Sequence, residues 1–181
     1  ALVDAIRNAH ERARGGAGQN AINGVRDLAM LFHANAYVEQ AETCYRLLRE
    51  AQSNEPRWTY LLADLTLRLG DVETTEKLIE ATVTLQPSYY WLWLKLGAVR
   101  QRLGKADLAL AAYQRCLELE ATSPHALLEV ARNHFRRKRW EESQAVVSRL
   151  LEHNPAFLSG HLLAAELFER EGKTGEAEIA R

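Results

Sequence analysis

Apolar residues recur at spacings of three and four along nearly the whole chain. Trp93, Leu96 and Val99 form one such stripe, Gly104 interrupts the run, and a second stripe begins at Leu108. This spacing places apolar side chains on one face of a helix. The alternation of apolar and polar residues that indicates a β-strand is not sustained in any segment. The pattern therefore predicts an all-α fold built from pairs of amphipathic helices.

The helix pairs follow a period of 34 residues. A shift of 34 positions places Gly70 on Gly104, and a shift of 68 places Gly104 on Gly172. The four prolines follow the same period from two positions, the first turn of a helix (Pro56, Pro124) and the segment just after one (Pro87, Pro155). The period predicts a leading helix with a Gly-rich link over 1–21, then blocks at 22–55, 56–89, 90–123, 124–157 and, truncated, 158–181.

Within each block the same residue types return to the same positions. The third block is the clearest, with Trp93, Leu96, Gly97, Ala109 and Tyr113. The chain thus resembles an array of tetratricopeptide repeats, whose 34-residue pattern has Trp, Leu and Gly on the first helix and Ala and an aromatic on the second. The resemblance implies an α-α superhelix, a right-handed solenoid of about five helix-turn-helix repeats that are stabilised by stacking.

Composition narrows the classes of partner. The 181 residues include 23 basic and 24 acidic side chains, a net charge of −1 that argues against a general nucleic-acid binder. No stretch has the roughly 20 apolar residues of a membrane span, and the amino end is too charged for a signal peptide. We therefore expect a soluble chain without membrane or nucleic-acid partners, with the cytoplasm slightly favoured as its compartment.

Motifs that would indicate chemistry are absent from the sequence. There is no HExxH, GxSxG or phosphate-loop signature, so we predict no enzymatic activity, no cofactor and no metal site. His125 and Glu129 lie one helical turn apart and are interpreted as a solvated pair rather than metal ligands. Cys44 and Cys116 fall on core positions two blocks apart, which favours buried thiols over a disulfide.

The resemblance also implies where a partner would bind. In tetratricopeptide repeats the first helix of each block lines the inner wall, and these positions hold eight basic and five acidic residues here. Arginine with exposed aromatic residues suits a protein or peptide segment of acidic character. The predicted partner-binding residues are Arg26, Arg57, Tyr60, Asp64, Trp91, Lys95, Arg102, His125, Arg132 and Arg136.

Other interpretations remain open for the same residues. Arginines at 68, 102, 136 and 170 would also complement helix dipoles, and the basic run 136–139 is typical of a solvated turn. Trp93 and Trp140 fit core packing. The clamp with which co-chaperones of the family hold a terminal carboxylate is disfavoured, since Met30 and Leu61 occupy two of its positions.

Two further hypotheses concern the ends of the chain. The sequence begins at Ala1 and stops inside the second helix of the fifth block at Arg181, so we expect the polypeptide to continue or another chain to cover this end. An uncapped fifth block predicts self-association into a homo-oligomer, and a continued polypeptide would make the array the accessory domain of a larger enzyme.

Overall fold

The computed structural model describes residues 2–170, and these form helices joined by short turns, with no strand among them. The all-α prediction is confirmed. Within the described range the helices are α1 Leu2–Gly15, α2 Gln19–Ala34, α3 Val38–Ala51, α4 Pro56–Arg68, α5 Val72–Leu85, α6 Tyr90–Arg102, α7 Ala106–Leu119, α8 Pro124–Arg136, α9 Trp140–His153 and α10 Leu158–Arg170.

The chain divides into two compact units between Pro87 and Ser88. Unit 1 contains α1 to α5 and unit 2 contains α6 to α10. Within each unit every helix packs against the next one along the chain. Each helix pair therefore covers the apolar face of its neighbour, as stacked repeats require.

Small residues set the distance between paired helices. Ala29, Ala63, Ala109 and Ala131 are almost completely buried. At Gly97 a Cβ atom would come within 2.4 Å of the Tyr113 ring, so only glycine permits this approach of α6 to α7.

The turn inside each helix pair has one residue in the left-handed region, always at the fifteenth position of its block. Gly70 and Gly104 occupy it in two blocks, with φ of 83° and 71°. Ala36 and Lys138 occupy it in the other two, with φ of 60° and 58°. Residues with a Cβ adopt this conformation at a cost, so these two turns are strained relative to the glycine turns.

The amino end differs from the prediction. Helix α2 begins at Gln19 rather than near residue 22, which shortens the predicted link to residues 16–18. Helix α1 packs on α2 so closely that a Cβ at Gly24 would lie 2.4 Å from the backbone nitrogen of Ala13. This packing provides a neighbour for the first turn of α2, which the apolar pattern alone does not show. The second helix of the fifth block lies outside the described residues.

Aromatic positions alternate between successive blocks. Tyr45 in the first block and Tyr113 in the third occupy the same position and are nearly inaccessible. The second and fourth blocks have Ile79 and Val147 there, both fully buried. The similarity is therefore greater over 68 residues than over 34, and it relates unit 1 to unit 2.

Several smaller expectations can be compared with the structure. Cys44 and Cys116 are buried free thiols, and burial raises the pKa of each.

Arg68, Arg102 and Arg136 are each the last residue of a helix, where a cation complements the dipole. Among the described helices, none combines the length and the apolar character needed to cross a membrane.

Candidate functional site

A cavity of about 630 Å³ opens in unit 2 between the first helices of adjacent blocks. Its walls come from α6 and α8, with Tyr113 of α7 and the segment before α10 completing it. The lining residues are Leu94, Ala98, Gln101, Arg102, Tyr113, His125, Leu128, Glu129, Arg132, Phe157 and Ser159. Most of these are the inner-wall positions that the repeat pattern indicates.

Tyr113 occupies the inner end of this cavity. Its side chain is 2% exposed, and its hydroxyl donates a hydrogen bond to Oε1 of Gln101 at 3.1 Å. Burial is the main cause that raises the pKa of the phenol, and the nearby Glu129 carboxylate raises it further. The tyrosine is therefore a neutral, fixed part of the wall.

Glu129 and Arg132 form an ion pair within the cavity. Nη1 of Arg132 lies 2.8 Å from Oε1 of Glu129, one turn earlier on α8. The second carboxylate oxygen, Oε2, is buried and has no hydrogen-bond partner within the described residues. An unsatisfied buried acceptor is costly, so this oxygen makes the cavity receptive to a donor.

The predicted pairing of His125 with Glu129 is wrong. Glu129 pairs with Arg132 instead, and the His125 ring packs edge-on against Phe157 with centroids 5.6 Å apart. No group of three or more metal-binding side chains occurs in the part of the chain that the structure describes.

Arg102 is the cation of the cavity that has no competing partner. It ends α6, is exposed, and forms no ion pair or hydrogen bond with the described residues. Its guanidinium is thus available to a carboxylate or phosphate without first breaking a contact.

The other predicted residues of unit 2 lie outside the cavity lining. Trp91 is 45% exposed and its ring lies 4.8 Å from that of Tyr90. Lys95 is half-buried and has an interaction partner, and Arg136 is exposed at the end of α8. The structure thus brings Arg102, His125 and Arg132 together and leaves Trp91, Lys95 and Arg136 apart from them.

The predicted residues of unit 1 form local charge pairs. Arg26 bonds to Asp27 at 3.2 Å, and the Arg57 guanidinium lies 5.2 Å from the Trp58 ring. Asp64 accepts a hydrogen bond from Nε of Arg68 at 3.0 Å. Tyr60 is half-buried and also has a partner. Each of these side chains is thus already engaged within the chain, and Asp64 also lies 4.0 Å from Nε2 of His33 on α2.

Sequence reasoning missed two residues that line the cavity. Tyr113 was assigned to the core as the aromatic of the second helix, and Phe157 lies in a turn where no periodicity exists. The signal for Phe157 is its position, the last of a block, where the second block has Tyr89.

Comparison with known proteins agrees with the helical-repeat fold described above. Residues 100–167 match the family model described as tetratricopeptide repeat. MamA is similar in structure, with a TM-score of 0.79, 14% identity, and coverage of 90% of this chain and 89% of that one.

Two further solved structures are also similar over nearly the whole chain. YrrB, described as a TPR protein with an unusual peptide-binding site, has a TM-score of 0.71, 19% identity, and coverage of 99% and 88%. PilF from Pseudomonas aeruginosa has a TM-score of 0.72, 16% identity, and coverage of 99% and 88%. At these identities the likeness is one of fold.

The family match, the repeated helix pairs and these structural neighbours agree with one another. Stacked helix repeats of this kind create extended concave surfaces. Residues 100–167 thus match the tetratricopeptide-repeat model, and the described helices share their fold with solved structures that include a TPR protein.

Proposed function

We propose that unit 2 binds a short extended segment of a partner protein, with acidic side chains, in the cavity between α6 and α8. The observation that carries this proposal is the joint presence there of Arg102, which has no partner among the described residues, and the apolar residues Leu94 and Leu128. Arginine provides paired hydrogen bonds to a carboxylate, and the leucines provide apolar contact beside it.

An extended backbone also finds polar partners in this cavity. The buried oxygen of Glu129 accepts a donor such as a peptide N–H, while Gln101 and His125 offer polar atoms on facing helices. A segment with alternating acidic and apolar side chains satisfies both kinds of surface. The peptide-binding site ascribed to YrrB supports the same class of ligand.

The test uses the full chain and two labelled peptides of about 12 residues that share one apolar sequence and differ only in carrying glutamate or lysine. We expect fluorescence polarisation to show binding of the glutamate peptide and at least a tenfold weaker binding of the lysine peptide. Equal binding of the two peptides, or binding of neither, contradicts the proposal.

Two variants test whether the glutamate peptide binds in the cavity of unit 2. Ala98→Met fills the cavity, and Arg102→Glu reverses its available charge; each is expected to weaken binding of the glutamate peptide about tenfold, or about 1.4 kcal/mol. Ala111→Met and Arg139→Glu make the same changes at exposed positions outside the lining and serve as controls. Circular dichroism checks that helicity is kept. Undiminished affinity in both cavity variants contradicts the proposed location.

A further inference from the structure

A second cavity, of about 650 Å³, lies in unit 1 on a different set of helices. Helix α4 forms its floor through Leu62 and Leu78 of α5 adjoins it, while α3 and α5 form the walls. Leu85, at the end of α5, is 42% exposed and lines the same space. We call this space the α3–α5 groove.

Two of the side chains that line the groove are replaced by different ones at the equivalent positions of unit 2. Ala81 of the α3–α5 groove corresponds, 68 positions later, to Arg149, which donates a hydrogen bond across to the carbonyl of Ala121 after α7. Arg49 corresponds to Leu117, which packs against the buried cluster of Ala109, Tyr113 and Val130. Unit 2 thus has a bridging arginine and a partly buried leucine where unit 1 has Ala81 and Arg49.

The walls of the groove offer few hydrogen bonds to a ligand although threonines line them. The hydroxyl of Thr66 donates to the carbonyl of Ala63 at 3.0 Å, and that of Thr84 donates to the carbonyl of Glu80 at 2.9 Å. The Thr74 side chain bonds to Asp71. These three threonines therefore contribute mainly methyl groups to the surface, and the hydroxyls of Ser53 and Thr59 are the other hydroxyls of the lining.

This surface selects the backbone conformation of whatever binds it. An extended peptide would leave its N–H and C=O groups unsatisfied against an apolar wall, at about 1–3 kcal/mol for each buried group. A helix satisfies its own backbone and presents only side chains. The walls are helices of 14 residues, about 21 Å long, which accommodates about four turns of another helix.

The charged residues at the rim of the groove indicate which charge a bound helix would carry beside its apolar face. Arg46 is paired with Glu42 at 2.6 Å, whereas Arg49 forms no ion pair or hydrogen bond with the described residues. Glu50 also lines the groove, beside Arg49. An acidic side chain on the bound helix therefore gains most if it lies against Arg49, away from Glu50.

We propose that the α3–α5 groove is a second docking surface, which binds the apolar face of an amphipathic helix from a partner protein and pairs Arg49 with a carboxylate on the flank of that helix. This surface is separate from the cavity of unit 2 and takes a ligand of different conformation.

The test is a selection from a displayed library of random peptides of about 16 residues on the full chain. We expect enriched sequences with apolar residues at i, i+3, i+4 and i+7 and an acidic residue beside that stripe. The affinity of a synthetic copy of the most enriched peptide is then measured by fluorescence polarisation. No enrichment, or enrichment only of extended acidic sequences, overturns the proposal.

A variant with a closed groove tests whether the selected peptide binds at this surface. The double variant Ala81→Arg, Arg49→Leu carries the residues of unit 2, and both positions are exposed, so we expect an unchanged helical spectrum and at least tenfold weaker binding. Arg49→Glu alone is expected to weaken binding about fivefold. Ala51→Arg, at an exposed alanine of α3 outside the lining, is the control. Full affinity in the closed variant overturns the proposal.

Discussion

Residues 22–89 and 90–157 repeat the same elements 68 positions apart, yet the cavities described above lie on different helices of the two copies. The Met30 sulfur lies 3.6 Å from the Tyr45 hydroxyl, whereas the equivalent Ala98 lines the cavity next to Tyr113. Ala81 lines the α3–α5 groove, whereas the equivalent Arg149 donates a hydrogen bond to the carbonyl of Ala121. Equivalent positions at both sites therefore carry side chains of different size and with different contacts.

The tyrosine at the centre of each copy shows how local these differences are. Tyr45 makes a 3.0 Å hydrogen bond with Nδ1 of His33, and Tyr113 makes one of 3.1 Å with Gln101, from the same position of the block. The neighbouring small residue is Ala29 beside Tyr45 but Gly97 beside Tyr113. The framework is thus conserved within the chain while the contact distances change.

The largest expected effect comes from Gly97→Ala. The new Cβ would lie 2.4 Å from the Tyr113 ring, so the ring or the helix must shift, and we expect a loss of about 1–3 kcal/mol in unfolding free energy. Urea denaturation followed by circular dichroism measures it. The reverse exchange in unit 1, Ala29→Gly, removes a methyl without a clash and is expected to cost about 1 kcal/mol. Wild-type stability in Gly97→Ala would show that the two tyrosines are packed alike.

The next effect is a dependence on alkaline pH. Burial, with smaller contributions from Cys44 and Asp64, raises the pKa of Tyr45 to about 12, against about 10 in an unfolded chain. The unfolded state therefore loses its proton first, and the contribution of Tyr45 to the unfolding free energy is constant below pH 10 and falls as the pH rises towards 12. Denaturation midpoints measured across this range report the slope.

Tyrosine-to-phenylalanine variants test whether the buried tyrosines cause this decline in stability at alkaline pH. Tyr45→Phe and Tyr113→Phe are each expected to make the alkaline decline shallower, since burial raises the pKa of both phenols. Tyr37→Phe, at a tyrosine that is 47% exposed, serves as the control. An unchanged slope in both variants would show that the central tyrosines are not the groups responsible.

The smallest expected effect is a gain in stability at the turns. Lys138→Gly and Ala36→Gly relieve a left-handed backbone, and we expect each to raise unfolding free energy by about 0.5–1 kcal/mol. Gly104→Ala introduces the strain into a relaxed turn and is expected to lower stability by a similar amount. Thermal melts compare the three. A loss of stability in both glycine variants would contradict strain as the difference between the turns.

Much of the framework could be predicted from the sequence, because periodicity fixes which face of a helix is buried. Gly97 and Ala109 indicated close helix contact, and the 34-residue period located the helix pairs. Only some of the residues that line the cavity can be predicted from the sequence. Arg102, His125 and Arg132 were identified from their positions, but a period does not tell whether a side chain such as Lys95 or Asp64 is already engaged.

The remaining features depend on pairs of residues far apart in sequence. The edge-on contact of His125 with Phe157 joins α8 to the turn before α10, and the helical period does not predict it. The α3–α5 groove is lined by residues of three helices, including Arg49 of α3 and Ala81 of α5, a combination that no single apolar stripe reveals.

The bridge from Arg149 to the carbonyl of Ala121 has a consequence for how such scaffolds diversify. Arg149 and the equivalent Ala81 are both exposed, so neither contributes to the buried core, and exchanges between them are expected to change unfolding free energy little. On the binding role that we propose for the α3–α5 groove, an exchange at this position would change partner binding while the free energy of unfolding stays nearly the same.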